Sequence, residues 1–175
     1  MTPKSLLRLP EAVSSLDEFV SGKFEHTILE SISKDKINKT NRIILCAGKV
    51  FYGLNKMRKE LNKENIPILR IELLHPFPIK EIKEKINKFI DNDTEIIWAQ
   101  EEPLNMGAWR YLESILRHEL GKEPIYVGRQ QSASPAVASA KIHQEQQIAL
   151  EKAAFEQLDQ PFFASSRSDM RSHIS

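Results

Sequence analysis

The sequence predicts a three-layer α/β fold in which helices flank a mostly parallel sheet. Two observations lead to this prediction. Short apolar runs typical of buried strands alternate with stretches in which apolar residues recur at helical spacing, and four such pairs follow one another from residue 42. The length of 175 residues, with 41% hydrophobic and 28% charged residues, suits one globular domain with its own core.

Each strand–helix pair is recognised from its apolar pattern. The predicted strands are 43–47, 66–71, 95–99 and 124–127. The helices after the first three strands carry apolar residues three or four positions apart. Those residues are Val50, Leu54, Met57 and Leu61; Ile79, Ile82, Ile86 and Phe89; and Trp109, Leu112, Leu116 and Leu120. Ser134 and Pro135 are expected to cap and open the last helix, which runs to about residue 155.

The two ends of the chain differ from this regular region. Residues 1–40 are irregular, apart from a capping box over 15–18 and a short strand expected at 27–29. The last residues are rich in Ser and Arg and have no apolar period. We therefore expect an N-terminal extension over 1–40, an α/β domain over 41–157 and a disordered tail over 158–175.

Charge and cysteine content exclude several classes of protein. The formal net charge of +1 argues against a nucleic-acid surface covering the whole molecule. Cys46 is the only cysteine, and the five histidines lack ligand-like spacing, so neither a disulfide nor a metal site is expected. The sequence contains no apolar run of about 18 residues, so no membrane span is expected. Residues 1–5 lack the apolar core of a secretory signal.

Polar residues follow the carboxyl ends of the predicted strands, which is the edge where α/β sheets bind ligands. The candidate residues for an anion or partner site at this edge are Glu101, Glu102, Asn105, Arg129, Ser132 and Ser134. An arginine and two serine hydroxyls beside a helix start favour a carboxylate or phosphate ligand. The alternative is that Arg129 pairs with Glu101 or Glu102 and ties two loops together, since polar loops are common at this edge.

Residue chemistry alone does not predict a catalytic site. Glu101 and Glu102 are adjacent on an extended segment and point to opposite faces, so a loop anchor or subunit contact is favoured over a carboxylate pair sharing a proton. His75 is more typical of a packed turn residue than of a base. Cys46 lies inside an apolar strand and is expected to be an inert core thiol. The residues therefore predict a domain with an anion or partner site.

Seven short motifs occur in a fixed order along the chain. They are 1–8 (MTPKSLLR), 12–16 (AVSSL), 70–78 (RIELLHPFP), 100–109 (QEEPLNMGAW), 126–129 (YVGR), 132–136 (SASPA) and 143–147 (HQEQQ). This series resembles the last part of the E1 component of the 2-oxoglutarate dehydrogenase complex, over about residues 1–157. A generic transketolase-like C-terminal domain would share the fold but not the whole series.

The resemblance implies an enzyme family that uses thiamine diphosphate and magnesium. Such enzymes decarboxylate 2-oxoglutarate in the tricarboxylic acid cycle and pass the succinyl group to the lipoyl arm of the E2 component. Their cofactor sites lie in two preceding domains, so the resemblance assigns no catalytic, cofactor-binding or metal-binding residue to this chain. It implies a role in dimer assembly and domain packing, and in that light the six candidate residues at the carboxyl edge are interface or effector-site residues rather than catalysts. The implied partners are the remaining E1 domains or a second E1 subunit, together with E2, and neither nucleic acid nor a membrane.

The two ends also bear on how such a chain arises. Met1 stands where the family continues upstream, and the residues after 157 look unlike its ending, so a split or truncated gene product, inactive alone, is expected. Leu6, Leu7 and Leu9 would then be left exposed. The alternatives are an anion- or nucleotide-binding effector module and a non-functional remnant. The expected location is a bacterial cytoplasm, or the mitochondrial matrix in a eukaryote.

Overall fold

The strands form a single sheet in the computed structural model, which describes residues 3–29, 41–91, 93–156, 158 and 161–164. They are β1 (Thr27–Leu29), β2 (Arg42–Cys46), β3 (Ile68–Ile71), β4 (Glu95–Pro103), β5 (Pro124–Arg129) and β6 (Phe162–Ala164). Their order in the sheet is β1-β3-β2-β4-β5-β6. Strand β1 runs antiparallel to β3, and the remaining neighbours are parallel.

Helices cover both faces of the sheet, which confirms the predicted α/β class. A short 3-10 helix (Lys4–Arg8) precedes α1 (Leu16–Ser21), α2 (Val50–Glu60), α3 (Ile79–Ile86), α4 (Trp109–Leu120) and α5 (Ala140–Ala153). Helices α2 and α5 pack on one face, whereas α3 and α4 pack on the other. None of the described helices is long and apolar enough to cross a bilayer.

Strand β2 shows why the core strands are continuous apolar runs. All five of its residues are buried. Ile44 and Cys46 contact the α2/α5 layer, and Ile43 and Leu45 contact the α3/α4 layer. Successive side chains alternate between faces, and both faces are covered by helices, so the four positions from Ile43 to Cys46 carry apolar residues, whereas Arg42 is a buried charged residue at the start of the strand.

The last helix begins later than the sequence predicts. Helix α5 starts at Ala140, and the Ser139 side chain accepts a hydrogen bond from the Ile142 N–H as its cap. The Ser134 hydroxyl instead donates to the carbonyl of Ala136 at 2.8 Å. The prediction that Ser134 and Pro135 open this helix is therefore wrong, because residues 130–139 form an irregular loop.

Two strands come from the ends of the chain. Strand β1 lies within the predicted N-terminal extension and continues the sheet beyond β3. The structure also differs from the expected disorder of 158–175, since residues 162–164 form β6 beside β5. Residues 165–175 lie outside the described part of the chain. The domain boundaries themselves stay a prediction.

Candidate functional site

Strand β4 is longer than predicted and contains part of the candidate site. It continues to Pro103, with an irregularity in its pairing to β5 after Ala99. Glu101 and Glu102 therefore lie within the strand rather than in the loop beyond it. Glu101 is partly buried and Glu102 is exposed. The Glu101 carboxylate faces the Lys49 ammonium, with Oε1 and Nζ 3.5 Å apart.

Gln100 organises the loop that follows β4, a role that the sequence does not reveal. Its Oε1 accepts hydrogen bonds from Trp98 Nε1 at 2.9 Å and from the Trp109 backbone N–H at 3.1 Å. Its Nε2 donates to the carbonyls of Glu102, Pro103 and Met106. The buried Gln100 amide thus forms hydrogen bonds with backbone groups at both ends of the loop. Its only sequence signal is a polar residue directly after an apolar strand.

Gly107 lets this loop close over Gln100. Its φ is +68°, in the left-handed region that glycine adopts without strain. A Cβ atom there would lie 3.0 Å from the Gln100 amide atoms and from Glu102 Cβ. The loop conformation therefore depends on a residue without a side chain at this position.

Asn105 joins the loop after β4 to the loop after β5. Its Nδ2 donates to the Ser132 carbonyl at 2.9 Å, and its Oδ1 accepts from the Ser132 N–H at 3.0 Å. The side-chain amide thus pairs with both backbone groups of one residue. This pairing attaches the second loop, which precedes α5, to the loop after β4.

Arg129 is the most buried charged residue of the candidate site, with 7% exposure. Its Nε donates to Gln146 Oε1 at 3.1 Å, and Nη2 donates to Gln147 Oε1 at 2.9 Å. Nη2 also lies 3.4 Å from His143 Nδ1, and Nη1 donates to the Glu101 carbonyl. Arg129 therefore ties β4, β5 and α5 together, using the Glu101 backbone rather than its carboxylate.

The partners of Arg129 leave its charge without direct compensation. Within the described chain, the guanidinium forms no ion pair with a carboxylate, and its acceptors are a carbonyl, two amides and an imidazole nitrogen. Burial lowers the pKa of Arg129 from its usual value, because desolvation disfavours the charged form. The carboxylates of Glu101, Glu102 and Glu151 act on Arg129 electrostatically and raise its pKa, but none of them is hydrogen-bonded to it, and a buried cation held only by neutral hydrogen-bond partners favours an anion beside it.

A cavity of about 170 Å³ lies beside Arg129. Ser132, Ser134 and Gln146 line it, as does Ala164 of β6. The Ser132 hydroxyl accepts a hydrogen bond from the Ser134 N–H at 3.1 Å, so its proton is free to point elsewhere. The cavity thus combines a cation, hydroxyls and an amide. It lacks the helix start expected from the sequence.

A second hollow of about 200 Å³ also borders Arg129 and is lined by Glu101, Glu102 and His143 as well. Burial, and then the positive charge of Arg129, lower the pKa of His143. A neutral imidazole is also what the contact with Arg129 requires, because Nδ1 must offer a lone pair to the guanidinium. The structure therefore places a neutral histidine between cationic and anionic groups.

Two other residues that the sequence singles out lie apart from this site. The Cys46 side chain is fully buried, and burial raises the pKa of its thiol to about 12. His75 is exposed, and its Nδ1 lies 3.3 Å from the Tyr111 hydroxyl. In the described residues, no three His, Cys, Asp or Glu side chains come together as metal ligands.

The sequence profile of a known family, described as 2-oxoglutarate dehydrogenase C-terminal, matches residues 13–155. The chain belongs to this family. The matched range contains β1 to β5, α1 to α5 and the six candidate site residues. Strand β6 lies beyond the end of the match.

Curated relatives of this 2-oxoglutarate dehydrogenase C-terminal chain are much longer than it is. The 2-oxoglutarate dehydrogenase E1 component of Cupriavidus necator is 42% identical over 160 residues, covering 90% of this chain and 17% of the relative. The oxoglutarate dehydrogenase of Buchnera aphidicola is 47% identical over 149 residues, covering 84% and 16%. The E1 component of Rickettsia felis is 45% identical over 159 residues, covering 88% and 16%. The chain therefore spans about one sixth of these relatives.

One solved structure shows a similar fold. It is described as a split gene transketolase, inactive beta4 tetramer, and it superposes with a TM-score of 0.50 at 16% sequence identity. The superposition covers 67% of this chain and 38% of that one. At this identity the likeness shows the fold alone, and it agrees with the transketolase-like architecture expected from the sequence.

Proposed function

We propose that this chain acts as the C-terminal portion of an E1 component of the 2-oxoglutarate dehydrogenase complex, where it supports subunit assembly and domain packing. The matched part of this chain makes up 16–17% of curated relatives that are named 2-oxoglutarate dehydrogenase E1 component or oxoglutarate dehydrogenase. In such an enzyme the remaining E1 domains, or a second E1 subunit, and the E2 component would be its partners. The proposed location is the bacterial cytoplasm, or the mitochondrial matrix if the source is eukaryotic.

The observation that carries this proposal is the exposed apolar segment before β1. Helix α1 and the 3-10 helix contain no buried residue. The exposed apolar side chains of this segment are Leu7, Val13, Leu16, Phe19, Val20 and Phe24, with exposures between 65% and 89%. Contiguous apolar surface of this kind marks a protein interaction site. The capping box at Ser15 satisfies backbone groups at the start of α1, but a six-residue helix with no buried residue is marginal by itself, as expected for a segment that packs against a neighbouring domain.

The chemistry of the whole enzyme would lie outside this chain. Thiamine diphosphate, which the family relationship implies, would supply the nucleophilic carbon and the electron sink for the decarboxylation in the whole enzyme, and none of the residues of this chain is assigned to hold it. In this proposal the chain contributes no acid, base or nucleophile. Its residues contribute the sheet edge and the apolar segment that position neighbouring domains.

Reconstitution tests the proposal. The chain is mixed with a relative's E1 polypeptide that lacks its C-terminal portion, and 2-oxoglutarate-dependent activity is measured. We expect neither polypeptide to be active alone and the mixture to be active. Phe19→Asp should abolish the gain, because it places a charge on the exposed face of α1. Ile148→Asp is the matched control, since Ile148 is 49% exposed on α5, away from that segment.

Activity of the isolated chain would overturn the proposal, as would full reconstitution by the Phe19→Asp variant. Failure of the wild-type chain to bind the truncated E1 polypeptide in analytical ultracentrifugation would also overturn it. If the chain is instead a non-functional remnant, the thermal unfolding of the isolated chain should be non-cooperative.

The environment of Arg129 favours a second function, that of an anion or nucleotide effector module. The supporting observation is the buried guanidinium with neutral partners beside a cavity lined by Ser132 and Ser134. Calorimetric titration with pyrophosphate tests it. Binding to the wild-type chain that is lost in Arg129→Met would support an anion site. No heat at millimolar pyrophosphate, or equal heat from the variant, would refute it.

A further inference from the structure

Strand β6 has a structural role that the family relationship does not account for. The family match ends at residue 155, whereas β6 comprises Phe162–Ala164. It pairs with β5 in parallel, with Val127 opposite Phe162 and Arg129 opposite Ala164. Strand β5, helix α5 and strand β6 thus form a complete βαβ unit, and the last strand of that unit lies outside the matched range.

The side chains of β6 alternate between the two faces of the sheet. Phe162 and Ala164 face the α2/α5 layer, where Ala164 is 1% exposed and Phe162 packs against the core. Phe163 faces the other layer, and its ring lies 5.7 Å from the Tyr126 ring. On the same face, the lack of a side chain at Gly128 leaves room for the Tyr126 hydroxyl, since a Cβ atom at Gly128 would lie 2.3 Å from it. The outer edge of β5 therefore accepts a short apolar strand on both faces.

The same strand forms part of the cavity beside Arg129. Ala164 lines this cavity together with Arg129 and Gln146. The register that places Ala164 opposite Arg129 also brings the end of β6 to the carboxyl edge of the sheet. Without residues 161–164, the cavity would lose the part of its wall that Ala164 forms, and the outer edge of β5 would present unpaired backbone groups.

We propose that the outer edge of β5 is a docking site for an extended apolar strand, that residues 161–164 occupy it from within the chain, and that this occupancy closes the cavity beside Arg129. Addition of a strand to a sheet edge gives affinity through backbone hydrogen bonds and specificity through alternate side chains. Here the specificity comes from Phe162, Phe163 and the small Ala164. Because β6 contains only three residues, it opens more readily than the core strands. The part of this proposal about the cavity rests on the second proposed function, that of an anion or nucleotide effector module. The docking of the strand on β5 does not depend on that function.

Thiol labelling of two neighbouring positions tests the docking. Cys46 is fully buried and its thiol pKa is raised to about 12, so the native chain gives a low background with a disulfide reagent. Ala164→Cys and Phe163→Cys are compared in the full chain, since Ala164 is 1% and Phe163 is 38% exposed. We expect the thiol at position 164 to react about 100-fold more slowly, because it becomes accessible only when β6 opens.

A second substitution shows whether this protection comes from the strand. Phe162→Asp, added to Ala164→Cys, removes an apolar anchor of β6 and should raise labelling to the rate of Phe163→Cys. Equal rates in the two single variants would overturn the proposal, as would continued protection with Phe162→Asp. Reaction of Cys46 reports global unfolding in every variant. If Phe162→Asp unfolds, the comparison of the two single variants still decides.

Pyrophosphate gives a separate arm of the same experiment. It should slow labelling of Ala164→Cys, because position 164 lines the cavity, and leave Phe163→Cys unchanged. If the two single variants differ as expected and pyrophosphate has no effect, the anion function fails while the strand-docking proposal stands. If the rates are equal, the docking proposal fails whatever pyrophosphate does.

Discussion

The two ends of the parallel sheet each contain a buried arginine, and the two residues are held in different ways. Arg42 begins β2, is 3% exposed, and donates through Nη2 to the Glu95 carboxylate at 2.6 Å. It also donates to the carbonyls of Ala154 and Glu156, at the end of α5. Arg129 ends β5, is 7% exposed, and donates only to neutral acceptors within the described residues.

This difference separates a structural charge from a charge available to a ligand. At the amino end of the sheet, a carboxylate and the negative end of a helix dipole compensate Arg42. At the carboxyl end, loops and side-chain amides surround Arg129, and a cavity lies beside it. The two arginines are buried to a similar extent, so their exposed fractions do not distinguish them. Only the identity of their partners distinguishes them.

The largest effect is expected at the amino end. Arg42→Met should lower the free energy of unfolding by about 4 kcal/mol, because it leaves Glu95 and two carbonyls without their buried partner. Urea denaturation at pH 7 measures the change. Glu95→Gln should cost less, because the amide oxygen still accepts from the guanidinium. A smaller loss for Arg42→Met than for Arg129→Met would contradict the comparison.

The next effect concerns the neutral network at the carboxyl end. Gln100→Leu should lower the free energy of unfolding by about 2–3 kcal/mol, since the Trp98 and Trp109 N–H groups lose their common acceptor. Thermal and urea unfolding give the value. Gln130→Leu, at an exposed position of the neighbouring loop, should change stability by less than about 0.5 kcal/mol. Equal losses in both variants would refute the role assigned to Gln100.

Arg129→Met should have a smaller effect on stability. Loss of its hydrogen bonds is offset by removal of a desolvated charge, so we expect a net loss of about 1 kcal/mol. The measurement is the urea midpoint of the variant relative to wild type, with Arg42→Met in the same series. If Arg129→Met costs as much as Arg42→Met, Arg129 is a structural residue and the anion interpretation loses its basis.

The last expected effect is a pH dependence of stability. It concerns Glu81 of α3, which contacts the start of β1. Contacts with Lys85, Thr27 and His26 lower the pKa of Glu81 from 4.5 to about 2. The lowered pKa means that this carboxylate contributes stability fully above pH 4.5 and loses it as the pH falls towards 2. The difference in unfolding free energy between wild type and Glu81→Gln should therefore shrink over that window.

The matched control for this pH series is Glu84→Gln, because Glu84 is exposed on the same helix. It should show little change over the same range of pH. A constant difference between wild type and Glu81→Gln from about pH 7 to about pH 2.5 would show that the contacts of Glu81 do not stabilise the attachment of β1 to α3.

The sequence predicted the core well because the core depends on local periodicity. Strand β2 follows directly from a continuous apolar run, and the apolar faces of α2, α3 and α4 follow from helical spacing. The start of α5 was predicted wrongly, because the loop before it is fixed by Asn105, 27 positions from Ser132 in the sequence. A hydrogen bond between residues so far apart in the sequence leaves no local sequence pattern from which it could be predicted.

The candidate site shows the same limit. Arg129 was identified from its position after an apolar strand, and the six candidate residues do lie at the carboxyl edge. The acceptors Gln146 and Gln147 were not predicted to hold it, because they lie on a helix whose rotation the sequence does not define. The assignment of the six residues to an effector or interface site stays a prediction.

The strand order also bears on how the chain folds as it is synthesised. Strand β2 lies at the centre of the sheet, between β3 and β4, although it is the first of the parallel strands in the sequence. As the polypeptide emerges from the ribosome, β1 is available to cover β3 as soon as β3 forms, so that side of the sheet is completed early. The other side grows outwards through β4 and β5 and is closed last, by β6. Its growing edge is therefore the surface that a nascent chain exposes longest, and the one on which aggregation during synthesis is expected to begin.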